Sequence, residues 1–157
     1  MKTRLLRDIE VSEVGMGCMA FSHGYGQIPP EEYSVEAIRN AYRNGCTFFD
    51  TAEIYSPNLS GIGHNEHIVG KALYGVREQV VIATKLFLNG FEAIGRGSVY
   101  NAVRRHLEGS LKRLGTDWVD IYYLHRMGGV SVEKIAEAMG RLMEDGLIRG
   151  WGLSQVD

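Results

Sequence analysis

The sequence predicts an α/β fold built around a parallel β-sheet. Short apolar segments that are typical of strands alternate with amphipathic helical segments along the 157 residues. One strand and one helix recur together every roughly thirty to forty residues, and several helical segments end before a glycine. This alternation predicts right-handed βαβ units, in which successive strands lie parallel in one sheet.

The first residues of the chain differ from this pattern. Thr3–Leu6 and Ile9–Ser12 are short strand-like runs separated by an Arg-Asp pair, and they predict a short N-terminal hairpin. Residues 14–19 form an apolar, glycine-rich segment, which predicts the first strand of the parallel sheet.

The remaining elements follow in order. The first helix opens at Pro30 and Glu31, a proline and an acid that suit a first helical turn, and Gly45 ends it. Ser98 and Ser131 are typical N-caps of two later helices, each of which ends before a glycine. The other predicted elements are the helix His64–Tyr74, the strands Cys46–Asp50, Val80–Lys85, Trp118–His125 and Leu147–Ser154, and the loops 51–63 and 86–97.

Alternation along the strands predicts how the sheet closes. If Asp50, Lys85 and His125 point to one face, mostly apolar side chains share that face with them. These are Cys46, Phe48, Val81, Ala83, Val119, Ile121 and Tyr123. An apolar inner face is typical of a parallel (β/α)8 barrel of the TIM type, which needs ~250 residues. The sequence therefore predicts a single partial-barrel domain over residues 1–157, truncated after about five strands and four helices.

Composition excludes several classes of protein. A formal net charge of −2 gives no electrostatic reason to expect nucleic acid or an acidic membrane surface as a partner. No apolar run approaches the ~20 residues of a membrane span, and the N-terminus lacks the apolar core of a secretory signal. Two well-separated cysteines favour a reducing compartment, so we expect a cytoplasmic protein.

Four polar residues follow the predicted strands at or just beyond their C-terminal ends. They are Asp50, Tyr55, Lys85 and His125. Because the C-terminal ends of parallel strands meet at one rim, we expect these side chains to converge there. Their convergence predicts a proton-donating site, because it combines a carboxylate, a phenol, an amine and an imidazole.

Five ordered motifs resemble the aldo-keto reductase family. They are Phe49–Tyr55, Gly63–Glu66 with Gly70–Leu73, Thr84-Lys85, Asp120–His125 and Gly150–Ser154. The resemblance covers nearly all of this chain and about the N-terminal half of a family member. It implies NADPH-dependent reduction of an aldehyde or ketone, a small-molecule carbonyl substrate, and correspondence of the four polar residues to the family's catalytic tetrad.

The chemistry of these residue types agrees with that implication. Hydride transfer to a carbonyl carbon builds negative charge on oxygen, which needs a proton and hydrogen bonds. Tyr55 is expected to supply the proton, assisted by Lys85, whose ammonium stabilises the phenolate. Asp50 is expected to hold Lys85 in place. His125 is expected to donate a hydrogen bond to the carbonyl oxygen as a neutral imidazole.

The resemblance also implies which part of the cofactor this chain would contact. In the family, loops of the C-terminal half hold most of the pyrophosphate and the 2′-phosphate. This chain is expected to provide contacts to the nicotinamide end, from Asp50, Ser154 and Gln155. An uncovered inner face and free sheet edges favour association. We therefore expect a homo-oligomer or a complementing C-terminal half.

Two other functions stay open at this point. One is a catalytically inactive half-barrel that acts by association. The other is a Schiff-base lyase that uses Lys85, although a charged, paired lysine is a poor nucleophile. A metal site at His64, Glu66 and His67 is not expected, because no third suitable ligand is evident and the resemblance makes Glu66 structural.

Overall fold

The computed structural model describes residues 1–24, 26–58, 61–95 and 97–155, with the side chains of residues 93 and 94 left aside. These ranges contain an antiparallel hairpin, a five-stranded parallel sheet and five α-helices. The hairpin consists of β1 (Thr3–Leu6) and β2 (Ile9–Ser12). The sheet strands are β3 (Met16–Gly17), β4 (Phe48–Asp50), β5 (Val81–Leu86), β6 (Val119–Leu124) and β7 (Ile148–Leu153). The helices are α1 (Glu31–Arg43), α2 (His64–Leu73), α3 (Gly90–Gly95), α4 (Val99–Leu114) and α5 (Val132–Glu144).

The sheet has the strand order β3-β4-β5-β6-β7, and every pairing in it is parallel. Each strand therefore lies beside the one that precedes it in the sequence, with helices in the longer connections. This order is that of a β/α barrel opened into a partial barrel, which confirms the predicted fold class and the N-terminal hairpin.

Helix ends follow the local sequence signals. The Ser98 side chain accepts a hydrogen bond from the Asn101 amide at 3.1 Å, and Ser131 accepts one from the Lys134 amide at 3.4 Å. Gly115 ends α4 with φ +68°, in the left-handed region that glycine adopts without strain. Among the described residues, no helix is both long and apolar enough to cross a membrane.

Two predicted segments differ from the structure. The loop 86–97 contains the short helix α3, because the Asn89 side chain accepts a hydrogen bond from the Glu92 amide at 2.8 Å and caps its first turn. The strand expected over residues 14–19 is reduced to β3, because the chain turns into a 3₁₀ helix at Met19–Phe21.

The larger core lies between the sheet and the helices, and a smaller one lies on the inner face of the sheet. In the smaller core, Ile9 and Val11 of β2 pack against Val81, Ala83 and Ile121. The hairpin therefore covers part of the inner face, which the sequence alone had left uncovered. Two residues expected on that face, Cys46 and Val119, pack instead with the larger core.

Candidate active site

The polar residues predicted for the site are carried by three neighbouring strands. Beyond β4 the chain continues along β5, where the Thr51 amide donates to the Ala83 carbonyl at 2.9 Å and the Glu53 amide donates to the Lys85 carbonyl at 3.2 Å. The His125 amide in turn donates to the Leu86 carbonyl at 2.8 Å. The strand ends are therefore held in register at one rim.

Lys85 is at the centre of the cluster. Its Nζ donates to the Asp50 carboxylate, to the Thr51 carbonyl oxygen at 2.8 Å and to the Tyr55 hydroxyl at 3.4 Å. The lysine side chain is only 9% exposed, whereas that of Asp50 is 35% exposed. A buried ammonium therefore contacts both the carboxylate and the phenol, as the proton-donating arrangement requires.

The aromatic rings of Tyr55 and His125 lie beside each other. Their ring centroids are 5.6 Å apart and their planes meet at 85°, an edge-to-face arrangement. Lys85 Nζ lies 5.1 Å from the centroid of the Tyr55 ring. Both rings are buried. The structure thus brings all four predicted catalytic side chains together.

His125 is held in its neutral form. Burial, followed by the positive charges of Lys85 and Arg126, lowers the pKa of His125 to about 4. At neutral pH the imidazole therefore carries one N–H donor and one acceptor. Its buried Nδ1 has no hydrogen-bond partner among the described protein groups. A neutral ring with hydrogen-bonding capacity to spare is suited to orienting a carbonyl oxygen.

A fully buried polar network, whose role was not predicted from the sequence, supports the cluster from behind. Thr51 Oγ1 donates to Asn65 Oδ1 at 2.6 Å, and Asn65 Nδ2 donates to the Cys18 carbonyl at 2.8 Å. The backbone N–H of Asn65 also donates to the Tyr55 carbonyl at 3.1 Å. Asn65 thereby holds two parts of the cluster in place: Thr51, whose carbonyl accepts from Lys85, and the backbone of Tyr55. An amide residue near the start of a buried helix was the available signal.

Ser154 and Gln155, which were predicted to contact the cofactor together with Asp50, lie farther along the rim. The Ser154 amide donates to the Leu124 carbonyl at 2.9 Å, which continues the ladder past β7, and Gln155 is exposed beside it. Asp50 opens on a cavity of about 450 Å³ on the inner face, which Phe48 and Tyr123 also line. Tyr55, Lys85 and His125 do not line this cavity.

The residues considered for a metal site serve other contacts. Glu66 is fully buried, accepts from Thr84 Oγ1 at 2.6 Å and pairs with Arg113 Nε at 2.6 Å. Burial raises the pKa of Glu66, against the opposing influence of Arg113. The Nδ1 atom of His64 lies 2.8 Å from the Ser22 hydroxyl. Within the described part of the chain, no group of three or more His, Cys, Asp or Glu residues is placed to hold a metal ion.

Comparison with known proteins agrees with this geometry. The chain matches the model of the Aldo/keto reductase family over residues 13–157. A Glycine max protein named probable aldo-keto reductase 1 is 37% identical over 151 residues, which are 94% of this chain and 42% of that protein.

Solved structures give the same result. The holo form of an aldo-keto reductase from Bacillus halodurans matches with a TM-score of 0.81 and 30% identity, over 99% of this chain and 50% of that one. An aldo/keto reductase from Klebsiella pneumoniae in complex with NADP and acetate matches with a TM-score of 0.77 and 34% identity, over 94% of this chain and 47% of that one. The chain therefore spans about half the length of these relatives. On its sequence and its fold, the chain belongs to the aldo/keto reductase family.

Proposed function

We propose that this chain supplies the proton-donating side of an active site for NADPH-dependent reduction of aldehydes or ketones to alcohols. The observation that carries the proposal is the placement of Lys85 Nζ against both the Asp50 carboxylate and the Tyr55 hydroxyl. His125 completes the group with a neutral imidazole. Family membership supports oxidoreductase chemistry for this arrangement.

Each side chain has a separate task in the reaction. NADPH supplies the hydride when it is bound. As the carbonyl carbon accepts that hydride, the π electrons of the C=O bond move to oxygen, and the Tyr55 hydroxyl proton is transferred there to give the alcohol. Lys85 stabilises the phenolate that remains until solvent returns a proton. Asp50 holds the ammonium, and His125 donates its N–H to the developing oxyanion.

The residues present fit the nicotinamide end of the cofactor. Asp50 is partly exposed on the inner-face cavity, and Ser154 and Gln155 lie along the same rim. We assign these three residues to the carboxamide and ribose end. Relatives from Klebsiella pneumoniae have been solved with NADP and with NADPH, which supports the choice of NADPH. The phosphate contacts are assigned to the part of the barrel that this chain does not contain.

The partial barrel indicates which protein partners the site would need. The complete site needs further barrel strands opposite Phe48 and Tyr123, which are only partly buried on the inner face. We propose a complementing C-terminal half as the source of those strands, because this chain spans about half the length of its relatives, and a second copy of this chain is the other source that we consider. The proposed setting of this reaction is the cytoplasm.

The Schiff-base alternative is disfavoured by the contacts of Lys85. Its ammonium donates to a carboxylate, a backbone carbonyl and a phenol, so loss of a proton to form a nucleophilic amine would break a charge-paired network. Borohydride trapping of a carbonyl compound on Lys85 would support that alternative against ours.

The test of the proposal is NADPH consumption with a simple aldehyde by the purified full chain at concentrations that allow it to associate, alone and mixed with the C-terminal half of a relative. We expect loss of NADPH absorbance together with formation of the corresponding alcohol. Calorimetric titration with NADPH measures cofactor binding separately from turnover. Absence of nicotinamide-cofactor binding even at high protein concentration would contradict the proposal for this chain. In that case a sedimentation experiment that shows stable association would favour the non-catalytic half-barrel.

A further inference from the structure

A buried carboxylate that has no part in the proposed chemistry lies two residues before Tyr55. Glu53 is 2% exposed, and its Oε1 accepts a hydrogen bond from the Phe87 amide at 2.7 Å. Its Oε2 lies 2.8 Å from Nδ1 of His106 on α4. A carboxylate is rarely buried to this degree unless it is paired and hydrogen-bonded, and here both oxygens are engaged.

The same residue attaches the Tyr55 loop to the strand that carries Lys85. The Glu53 amide donates to the Lys85 carbonyl at 3.2 Å, and the Glu53 side chain accepts from Phe87, two residues farther along. Its carbonyl accepts from the Gly63 amide at 2.6 Å, at the far end of the loop. One residue therefore links the loop to Lys85, to Phe87 and to His106 on the helix behind them.

The geometry points to Glu53, together with His106, as a positioning pair that fixes Tyr55 against Lys85 and makes turnover depend on the charge of the pair. This inference rests on the proposed function. Tyr55 hydroxyl and Lys85 Nζ are 3.4 Å apart, at the long end of hydrogen bonding. Small movements of the loop therefore decide whether the phenol and the ammonium interact, and misplacement by about 1 Å can cost a factor of about 10² in rate.

The electrostatic surroundings favour a charged pair. Nε2 of His106 lies 3.1 Å from a carboxylate oxygen of Glu92 on α3, and Arg113 lies 3.9 Å from Glu53. Burial opposes the charge on His106, but Glu53 and Glu92 outweigh it and raise the pKa of His106. Other titratable groups that face this region are Arg105, which lines the same cavity as Glu53 and His106, Glu66 of α2, which pairs with Arg113, and the buried Tyr122 of β6.

The pair therefore has a defined pH dependence. Below the ordinary pKa of histidine the imidazolium and the carboxylate form a charge-assisted hydrogen bond. As the pH rises through the raised pKa of His106, the ring becomes neutral and the attachment of the loop weakens. A merely structural anchor would lower stability when it is removed, but it would not add a pH-dependent step to kcat.

The experiment compares Glu53→Gln with Glu36→Gln in the full chain. Glu36 also forms an ion pair, with Arg43, but its side chain is 52% exposed on α1, so its change is the matched control. For Glu53→Gln we expect kcat to fall about tenfold or more, with KM for NADPH within about twofold. The step in the pH profile of kcat that belongs to His106 should disappear in Glu53→Gln and in His106→Asn. Unchanged kcat and an unchanged pH profile would overturn the inference.

A second readout does not need turnover. In wild type, NMR should show slow hydrogen exchange of the Glu53 amide and a nuclear Overhauser contact between the Tyr55 and His125 rings. Glu53→Gln should speed that exchange and weaken the ring contact, whereas Glu36→Gln should change neither. If wild type consumes no NADPH, the proposed function fails, and these two signals still decide the positioning pair. If the amide exchange and the ring contact both stay unchanged in Glu53→Gln, no positioning pair exists. If Glu53→Gln does not fold, the same two signals in His106→Asn decide the question.

Discussion

Polar side chains on the two faces of the parallel sheet differ in how many hydrogen-bond partners the protein gives them. On the helix side, Asp120 accepts from the Ile82 amide at 2.9 Å, from Arg77 at 2.8 Å and from Arg149 at 2.9 Å. On the inner side, Asp50 remains 35% exposed, and Nδ1 of His125 has no partner among the described protein groups. Both carboxylate oxygens of Asp120 are used in contacts that support the fold, whereas Asp50 is accessible to solvent and His125 Nδ1 is unpaired within the described protein.

Adjacent residues of one strand show the division most clearly. Thr84 points to the helix side and donates to the buried Glu66, whereas Lys85 points to the inner side and donates to Asp50 and Tyr55. The period of two along a strand separates a structural contact from a proposed catalytic one within a single peptide unit. Substitutions on the two faces should therefore have opposite consequences for stability and turnover.

The largest expected effect is on the inner face. Lys85→Met should lower NADPH turnover by about a hundredfold to ten-thousandfold, because Tyr55 loses the cation that stabilises its phenolate. Stability should change little, since the Asp50 carboxylate is open to solvent and can be hydrated. Steady-state kinetics and urea unfolding measure the two quantities. A large loss of stability with full turnover in the folded fraction would contradict the division between the faces.

The helix side should show the reverse. Asp120→Ala should reduce the free energy of unfolding by about 3–5 kcal/mol, because the half-buried Arg77 and the Ile82 amide lose their shared acceptor. The matched control is Asp145→Ala, whose exposed pair with Arg104 should cost no more than about 1 kcal/mol. Urea titrations give both values. Equal values for the two variants would show that the burial of Asp120 is energetically unimportant.

A smaller effect is expected at Thr84, next to Lys85. Thr84→Val keeps the shape of the side chain but removes the hydroxyl that donates to Glu66, so the free energy of unfolding should fall by about 1–3 kcal/mol. The kcat of the folded protein should stay at the wild-type value, because the side chain points away from the site. A tenfold loss of kcat would contradict the expectation that a side chain on the helix side does not affect turnover at this position.

The last expected effect is a titration. The pKa of His125 is lowered to about 4, so the folded protein takes up this proton at a lower pH than the unfolded chain does. The contribution of His125 to stability should be complete above the ordinary pKa of histidine and should be lost progressively as the pH falls towards about 4. NMR of the imidazole protons measures the midpoint, with His125→Asn for assignment. A midpoint near the ordinary value would show a solvated, easily charged ring.

Periodicity explains why much of this architecture could be predicted. The spacing of apolar residues and the glycine and serine signals define α1, α4 and α5 and the parallel strands between them. Strand ends then bring Asp50, Lys85 and His125 to one rim, because the C-terminal ends of parallel strands share an edge.

Contacts without a periodic signal could not be predicted. The cap at Asn89 that starts α3 is a single side-chain bond, and the packing of Ile9 and Val11 on the inner face depends on where the hairpin folds. The pairing of Glu53 with His106 joins residues 53 positions apart. Such polar contacts are fixed by tertiary structure, since nothing in their local sequence identifies the partner.

The most direct test of the central claim compares Tyr55, in the polar cluster at the rim, with Tyr122, on the helix side of the sheet. Tyr55→Phe should abolish NADPH-dependent aldehyde reduction and leave the free energy of unfolding nearly unchanged. Tyr122→Phe removes a buried hydroxyl that has no partner among the described protein groups, and it should retain turnover. The measurement is NADPH consumption by the two variants and the wild type under the same conditions. Wild-type turnover in Tyr55→Phe would contradict the assignment of the proton donor and with it the proposed reaction.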